Sequence, residues 1–152
     1  MKATQPAVVN FGPAPRSVEL REVPVPAIGA DDVLLEVDAV GVCGSDLHAL
    51  SVPAGVKATP NTVLGHEFIG KIIEAGSAVT TAKIGDRVAV APNLTCGLCK
   101  QCKLGQSVHC ENWTTIGIFQ DGGFARCVVV PQKALHPISD TVPLKDAVWT
   151  EL

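Results

Sequence analysis

Asp32-Val33-Leu34-Leu35-Glu36-Val37-Asp38-Ala39-Val40-Gly41-Val42 is the stretch that decides the fold class. Val33, Leu35, Val37 and Ala39 fall on one side of an extended chain and Leu34, Glu36 and Asp38 on the other, the period of a half-buried strand. The strand runs into Cys43, and the segment from Gly44 to Leu50 is long enough for about two helical turns before Pro53 and Gly55 break it. Upstream, Val18 and Leu20 alternate in the same way, and the proline-rich run Val23–Gly29 is excluded from a central strand because proline cannot donate to a ladder. Downstream, Val63 to Ala75 reads as one long or bent strand interrupted by Gly65 and Gly70. Gly85-Asp86 turns into a strand from Arg87 to Ala91, and Phe124 to Val130 is another. His136 before Pro137 reads as loop, and Ser139 to Pro143 starts a helix from about residue 142 that carries Ala147, Val148 and Leu152. Six or more short strands, two short helices and no β-α-β alternation make a mainly β fold with short helices.

Composition agrees. The 152 residues suit one domain, spanning 1–152, and a chain of that length buries roughly two thirds of its unfolded surface. Fourteen glycines, eleven prolines and only 4% aromatic residues fit a turn-rich β domain. A hydrophobic content of 47% is too high for a disordered chain, and no apolar run is long enough to span a bilayer, so no membrane partner is expected. The net charge of −3 gives no basic surface for nucleic acid. Met1-Lys2-Ala3-Thr4-Gln5-Pro6 has no apolar secretory segment, so a reducing, cytoplasmic setting is expected. There, six cysteines point to metal ligation or catalysis before disulfides.

Four of them, Cys96, Cys99, Cys102 and Cys110, lie in an aperiodic lobe of about 92–113 with spacing C-x2-C-x2-C-x7-C. A loop of that length without a core needs a tie. Four thiolates suit tetrahedral Zn²⁺ and close its shell, which makes a structural metal. The set would carry a net charge of about −2, partly offset by Lys100 and Lys103. A ferredoxin-type cluster would continue with x3-C-P, and here Glu111 follows a longer gap. Cys127, among valines, reads as a core or half-buried thiol, and His109 as a solvated loop residue.

A second constellation joins Cys43-Gly44-Ser45-Asp46-Leu47-His48, at a strand end, to Gly65-His66-Glu67, at the start of the next strand. Asp46 is placed to hydrogen-bond the free ring nitrogen of His66. One further ligand would complete a three-ligand zinc site with an open position, the catalytic pattern.

Five motifs now stand in order: Gly41-Val42-Cys43-Gly44-Ser45-Asp46-Leu47-His48, Gly65-His66-Glu67, Gly85-Asp86-Arg87-Val88, the four-cysteine loop, and Asp121-Gly122-Gly123-Phe124-Ala125. Together they resemble the zinc-containing alcohol and polyol dehydrogenases of the medium-chain dehydrogenase/reductase superfamily. The resemblance implies a GroES-like, partly open β-barrel with a structural-zinc lobe, the catalytic half of a two-domain enzyme. It further implies two zinc ions per chain, with Cys43 and His66 as ligands of the catalytic one and Cys96, Cys99, Cys102 and Cys110 holding the structural one. Ser45 then resembles the hydroxyl that meets the substrate oxygen, and His48 the outer end of a proton relay. Asp46 and Glu67 resemble residues behind the ligands, although Glu67 is a direct ligand in some relatives. Glu151 falls where many members carry a further ligand, without the proline that usually follows.

In the family a Rossmann domain binds NAD or NADP, and this sequence has no Gly-x-Gly-x-x-Gly turn to hold a pyrophosphate. The chain is therefore expected to act on a small alcohol or polyol only with that missing coenzyme domain, and to be inactive alone. The face that would meet the absent domain is expected to be open to self-association. The alternative expectation is a non-catalytic zinc-binding interaction module, with the four-cysteine loop filled and the Cys43/His66 site empty.

Overall fold

Alternating apolar side chains build two antiparallel sheets and a small ribbon. The computed structural model describes residues 4–12, 14, 16–50 and 57–150. Its strands are β1 (Thr4–Asn10), β2 (Val18–Pro24), β3 (Asp32–Val40), β4 (Thr62–Val63), β5 (Phe68–Ala75), β6 (Arg87–Val90), β7 (Asn93–Leu94), β8 (Thr114–Thr115), β9 (Cys127–Pro131) and β10 (Leu135–Pro137). Three α-helical segments, α1 (Gly44–Leu50), α2 (Lys100–Lys103) and α3 (Leu144–Ala147), and 3₁₀ turns at Ser107–His109 and Gln132–Ala134 complete the set. The large sheet has the order β10-β6-β5-β3-β9, the small one β2-β1-β4, and β7 pairs β8. An isolated bridge, Ala7 to Ala125, stitches the small sheet to the lead-in of β9. Among the described residues the two sheets do not close into a single barrel.

The core follows the strand period. Val33 and Leu35 on β3, Phe68 and Ile72 on β5, Val88 and Val90 on β6, and Val128 and Val130 on β9 bury one face of the large sheet. Burying each such side chain stabilises by roughly 1.5–3 kcal/mol. On the opposite face Ile69 and Ala89, cross-strand neighbours, pack against Ala147 and Val148 of α3 and its C-cap. No described helix is long and apolar enough to cross a membrane.

Four expectations need correction. Val63 to Ala75 is two strands in different sheets, not one, because Gly65 takes φ +93 and turns the chain between β4 and β5. Gly70 does not interrupt β5; a Cβ there would stand 2.5 Å from the Glu36 carbonyl oxygen, so glycine lets β3 and β5 approach. His136-Pro137 is not a loop but part of the edge strand β10, paired with β6. Ile138 donates its N–H inward to the Arg87 carbonyl, which turns the nitrogen of Pro137 outward, where no donor is needed. Finally, there are three α-helical segments among the described residues rather than two.

Candidate metal centres

The register of β3 against β5 creates the first centre. Val40 pairs with Phe68, and the Gly41 N–H bonds the Glu67 carbonyl, so the chain leaving β3 lies opposite the chain entering β5. Cys43 thereby faces His66. Cys43 also stands one residue before α1, and Asp46, in the first turn, returns Oδ2 to the Cys43 N–H at 2.9 Å. That is the reciprocal half of a capping box, and it fixes the thiol-bearing residue on the helix start.

The other carboxylate oxygen of Asp46, Oδ1, lies 3.6 Å from His66 Nδ1. This is an ion-pair approach, too long for a hydrogen bond, and Nδ1 is buried with no hydrogen-bond partner. On the far side of the ring, Nε2 and the Ser45 hydroxyl are 3.1 Å apart. With the proton on Nδ1 facing Asp46, Nε2 presents its lone pair toward Ser45 and Cys43. His66, Glu67 and Asp46 are all buried. The Asp46 carboxylate holds the imidazole up at about 9, against burial, which pulls it down, and the Cys43 thiol adds to the rise. That rise keeps a proton on Nε2 as well at neutral pH, and a cation binding there must displace it.

Cys43, His66 and Glu67 each bring a ligand atom within 4.8 Å of the others. Glu67 thus brings a carboxylate oxygen among the candidate ligand atoms, beyond its place behind them. The sequence signal for this was Gly41: a Cβ there would stand 2.7 Å from Glu67 Oε2, so glycine leaves room for the carboxylate. His48 is exposed, three residues past Ser45 on the same helix. Glu151 lies outside the described residues.

The second centre is the four-cysteine loop, whose sulfurs also lie within 4.8 Å of one another. Cys110 Sγ is 3.5 Å from Cys96 Sγ and 4.0 Å from Cys99 Sγ. Sulfurs bonded about 2.3 Å from a tetrahedral zinc stand about 3.8 Å apart, so the cage fits that ion. The backbone N–H groups of Cys96 and Asn112 point at Cys110 Sγ, and that of Cys99 at Cys96 Sγ. Donors aimed at sulfur favour thiolate: the backbone at Leu98 and Cys99 brings Cys96 down to about 6, and the backbone at Cys102 lowers Cys99. Burial among the other sulfurs pushes Cys102 up to about 12. Cys127 is buried in the core, and His109 is exposed on the lobe.

Residues 29–140, which take in both centres, match the alcohol dehydrogenase GroES-like domain. The chain belongs to that family. This alcohol dehydrogenase GroES-like domain is 37% identical over 132 residues to an L-threonine 3-dehydrogenase of Xanthomonas campestris, covering 86% of this chain and 39% of the relative. The chain therefore spans about two fifths of the length of the curated relatives it matches. A crystal structure of a protein from Sinorhizobium meliloti, provisionally named a zinc-binding dehydrogenase and bound to NADP, superposes with TM-score 0.86 at 40% identity, over 94% of this chain and 41% of that one. A thermostable alcohol dehydrogenase of Pyrobaculum aerophilum with cobalt and zinc bound gives TM-score 0.83 at 34% identity, over 98% and 45%.

Proposed function

We propose that this GroES-like domain is the zinc-binding catalytic domain of a cytoplasmic dehydrogenase that oxidises an alcohol or polyol to a carbonyl compound. The observation that carries the reading is the convergence of Cys43, His66 and Glu67 ligand atoms beside the Ser45 hydroxyl. Cys43 and His66 would hold the catalytic zinc together with one carboxylate, from Glu67 or Glu151, and the four cysteines would hold a structural zinc. Zinc in the first site supplies a localised positive charge that favours an ionised hydroxyl, and NAD or NADP on a separate coenzyme domain supplies the hydride acceptor. One thiolate and one carboxylate leave that site near neutral overall, so its positive charge is less quenched than in a four-thiolate cage.

The chain's own residues handle the proton. Were His66 Nε2 to hold a metal, the Ser45 hydroxyl would be released from its contact and could accept a substrate proton at Oγ while giving up its own hydroxyl proton. His48, one turn on and exposed, can take it from there to water. Asp46 holds the His66 ring through Nδ1 and the helix start through the Cys43 N–H, so thiol and imidazole keep their relative positions.

The test pairs this chain with a separately produced NAD(P)-binding domain of a relative and follows alcohol-dependent NAD(P)H formation. Ser45→Ala is expected to lower the rate by about 10²–10⁴-fold, the range for a positioned proton-transfer group. Rates unchanged by Ser45→Ala would remove it from the proton path.

A further inference from the structure

His66 is placed by contacts that lie outside both metal clusters. The segment Val63–His66 is gripped by the loop that follows β8. Asp121 Oδ1 accepts the Val63 N–H at 2.8 Å, and the N–H groups of Gly122, Gly123 and Phe124 donate to the carbonyls of Val63, Gly65 and Leu64 at 2.8, 2.8 and 2.9 Å. Two glycines of that loop press on the single peptide bond that carries His66. A Cβ on Gly122 would stand 2.1 Å from the Gly65 carbonyl oxygen. A Cβ on Gly117, which has φ +80, would stand 2.3 Å from the same oxygen, 2.4 Å from the Gly65 carbonyl carbon and 2.8 Å from the His66 nitrogen.

We propose that Gly117 and Gly122 are positioning residues for His66, setting where its imidazole stands relative to Cys43. The inference rests on the reading that Cys43 and His66 hold a metal. The β3–β5 register and Asp46 hold Cys43 and His66 from one side, and the loop after β8 grips the chain at His66 from the other, so a push from the loop acts on His66 and not on Cys43. Relieving a 2.1 Å approach to ordinary contact moves the Gly65–His66 peptide by about 1 Å, while metal–ligand distances tolerate only about 0.2 Å. The mismatch is large enough that a single methyl group on either glycine should pull the imidazole off the ligand position without unmaking the sheet.

The experiment keeps zinc in the four-cysteine cage and titrates the other site with Co²⁺, reading its visible absorption. Wild-type protein, Gly117→Ala, Gly122→Ala and Gly76→Ala are compared, together with thermal melts. Gly76→Ala is the steric control, since its Cβ would stand 2.2 Å from the Gly29 carbonyl oxygen on a loop away from His66. The expected result is that the control and the two test variants all melt earlier. Only Gly117→Ala and Gly122→Ala should weaken Co²⁺ binding, by about 10- to 100-fold, with an altered visible spectrum. Unchanged Co²⁺ affinity in both test variants, or an equal loss in Gly76→Ala, overturns the proposal. Should the alanine variants not fold, Asp121→Ala removes the acceptor of the Val63 N–H without adding an atom. A severalfold loss of affinity then supports the proposal, and no loss overturns it. A wild-type chain that takes no Co²⁺ at Cys43 and His66 instead overturns the metal reading itself, and this inference with it.

Discussion

Cys110→Ser releases the metal from the four-cysteine cage and melts the lobe around it while the two sheets stay folded. Neither α2 nor the 3₁₀ turn at Ser107–His109 buries a single residue, and Leu98, Leu104 and Val108 are 76%, 61% and 81% exposed. With no apolar core of its own, the lobe is expected to draw its order from a metal in the cage. Structural zinc supplies about 10–16 kcal/mol of apparent binding free energy in isolated zinc-finger peptides, far more than a few helical hydrogen bonds can. Cys110 is the buried cysteine of the four and receives two backbone N–H groups, so its loss opens the cage most completely. Hydrogen–deuterium exchange reads the outcome. In the zinc-loaded chain the amides of Lys103, Leu104, Gly105 and Gln106, all bonded within the lobe, are protected. In Cys110→Ser, or after chelation, they should exchange at nearly the unfolded rate while β3 and β5 stay protected. Lobe amides that remain protected would mean that packing, not metal, holds the loop.

Phe68→Ala has the largest expected effect on the sheets themselves. Phe68 is 0% exposed, among the largest fully buried side chains and a member of the main core cluster. Its ring also lies so close to Gly123 that a Cβ there would stand 2.6 Å from Cγ. The substitution leaves a cavity in a packed interior, and such changes cost about 3–5 kcal/mol. At about 2–4 °C per kcal/mol for a chain of this size, the melting temperature should fall by about 6–20 °C. Urea unfolding checks it, and a loss under about 1 kcal/mol would place Phe68 outside the core.

The four-cysteine cluster was legible because short ligand spacings survive any fold: C-x2-C-x2-C needs only a tight loop. The pairing of Cys43 with His66 was legible as a motif, and the β3–β5 register supplies its physical cause. What escaped the sequence reading depended on which side of a strand faces a neighbour. β1 contains Pro6, yet Val8, two residues on, makes its bonds to Phe124 and Leu64 on the side away from β2. The nitrogen of Pro6 therefore points where β4, which pairs only at Val9 and Asn10, does not reach. Pro137 hides on an edge in the same way. Gly65 and Gly70 look alike in sequence, and only tertiary contact makes one a turn and the other a close approach. Glu67 was already a candidate beside His66, with Glu67 and Glu151 both open as the completing carboxylate; the room that Gly41 leaves for its carboxylate is a tertiary contact. No period or spacing carries that information.

Two unlike metal sites in one small β domain are the centre of this account, and anomalous diffraction at the zinc edge tests them together. Crystals of the zinc-loaded chain should show two peaks per molecule, one enclosed by Cys96, Cys99, Cys102 and Cys110 and one between Cys43 Sγ and His66 Nε2. A single peak in the cage, with nothing between Cys43 and His66 even after soaking in excess zinc, would contradict the catalytic reading.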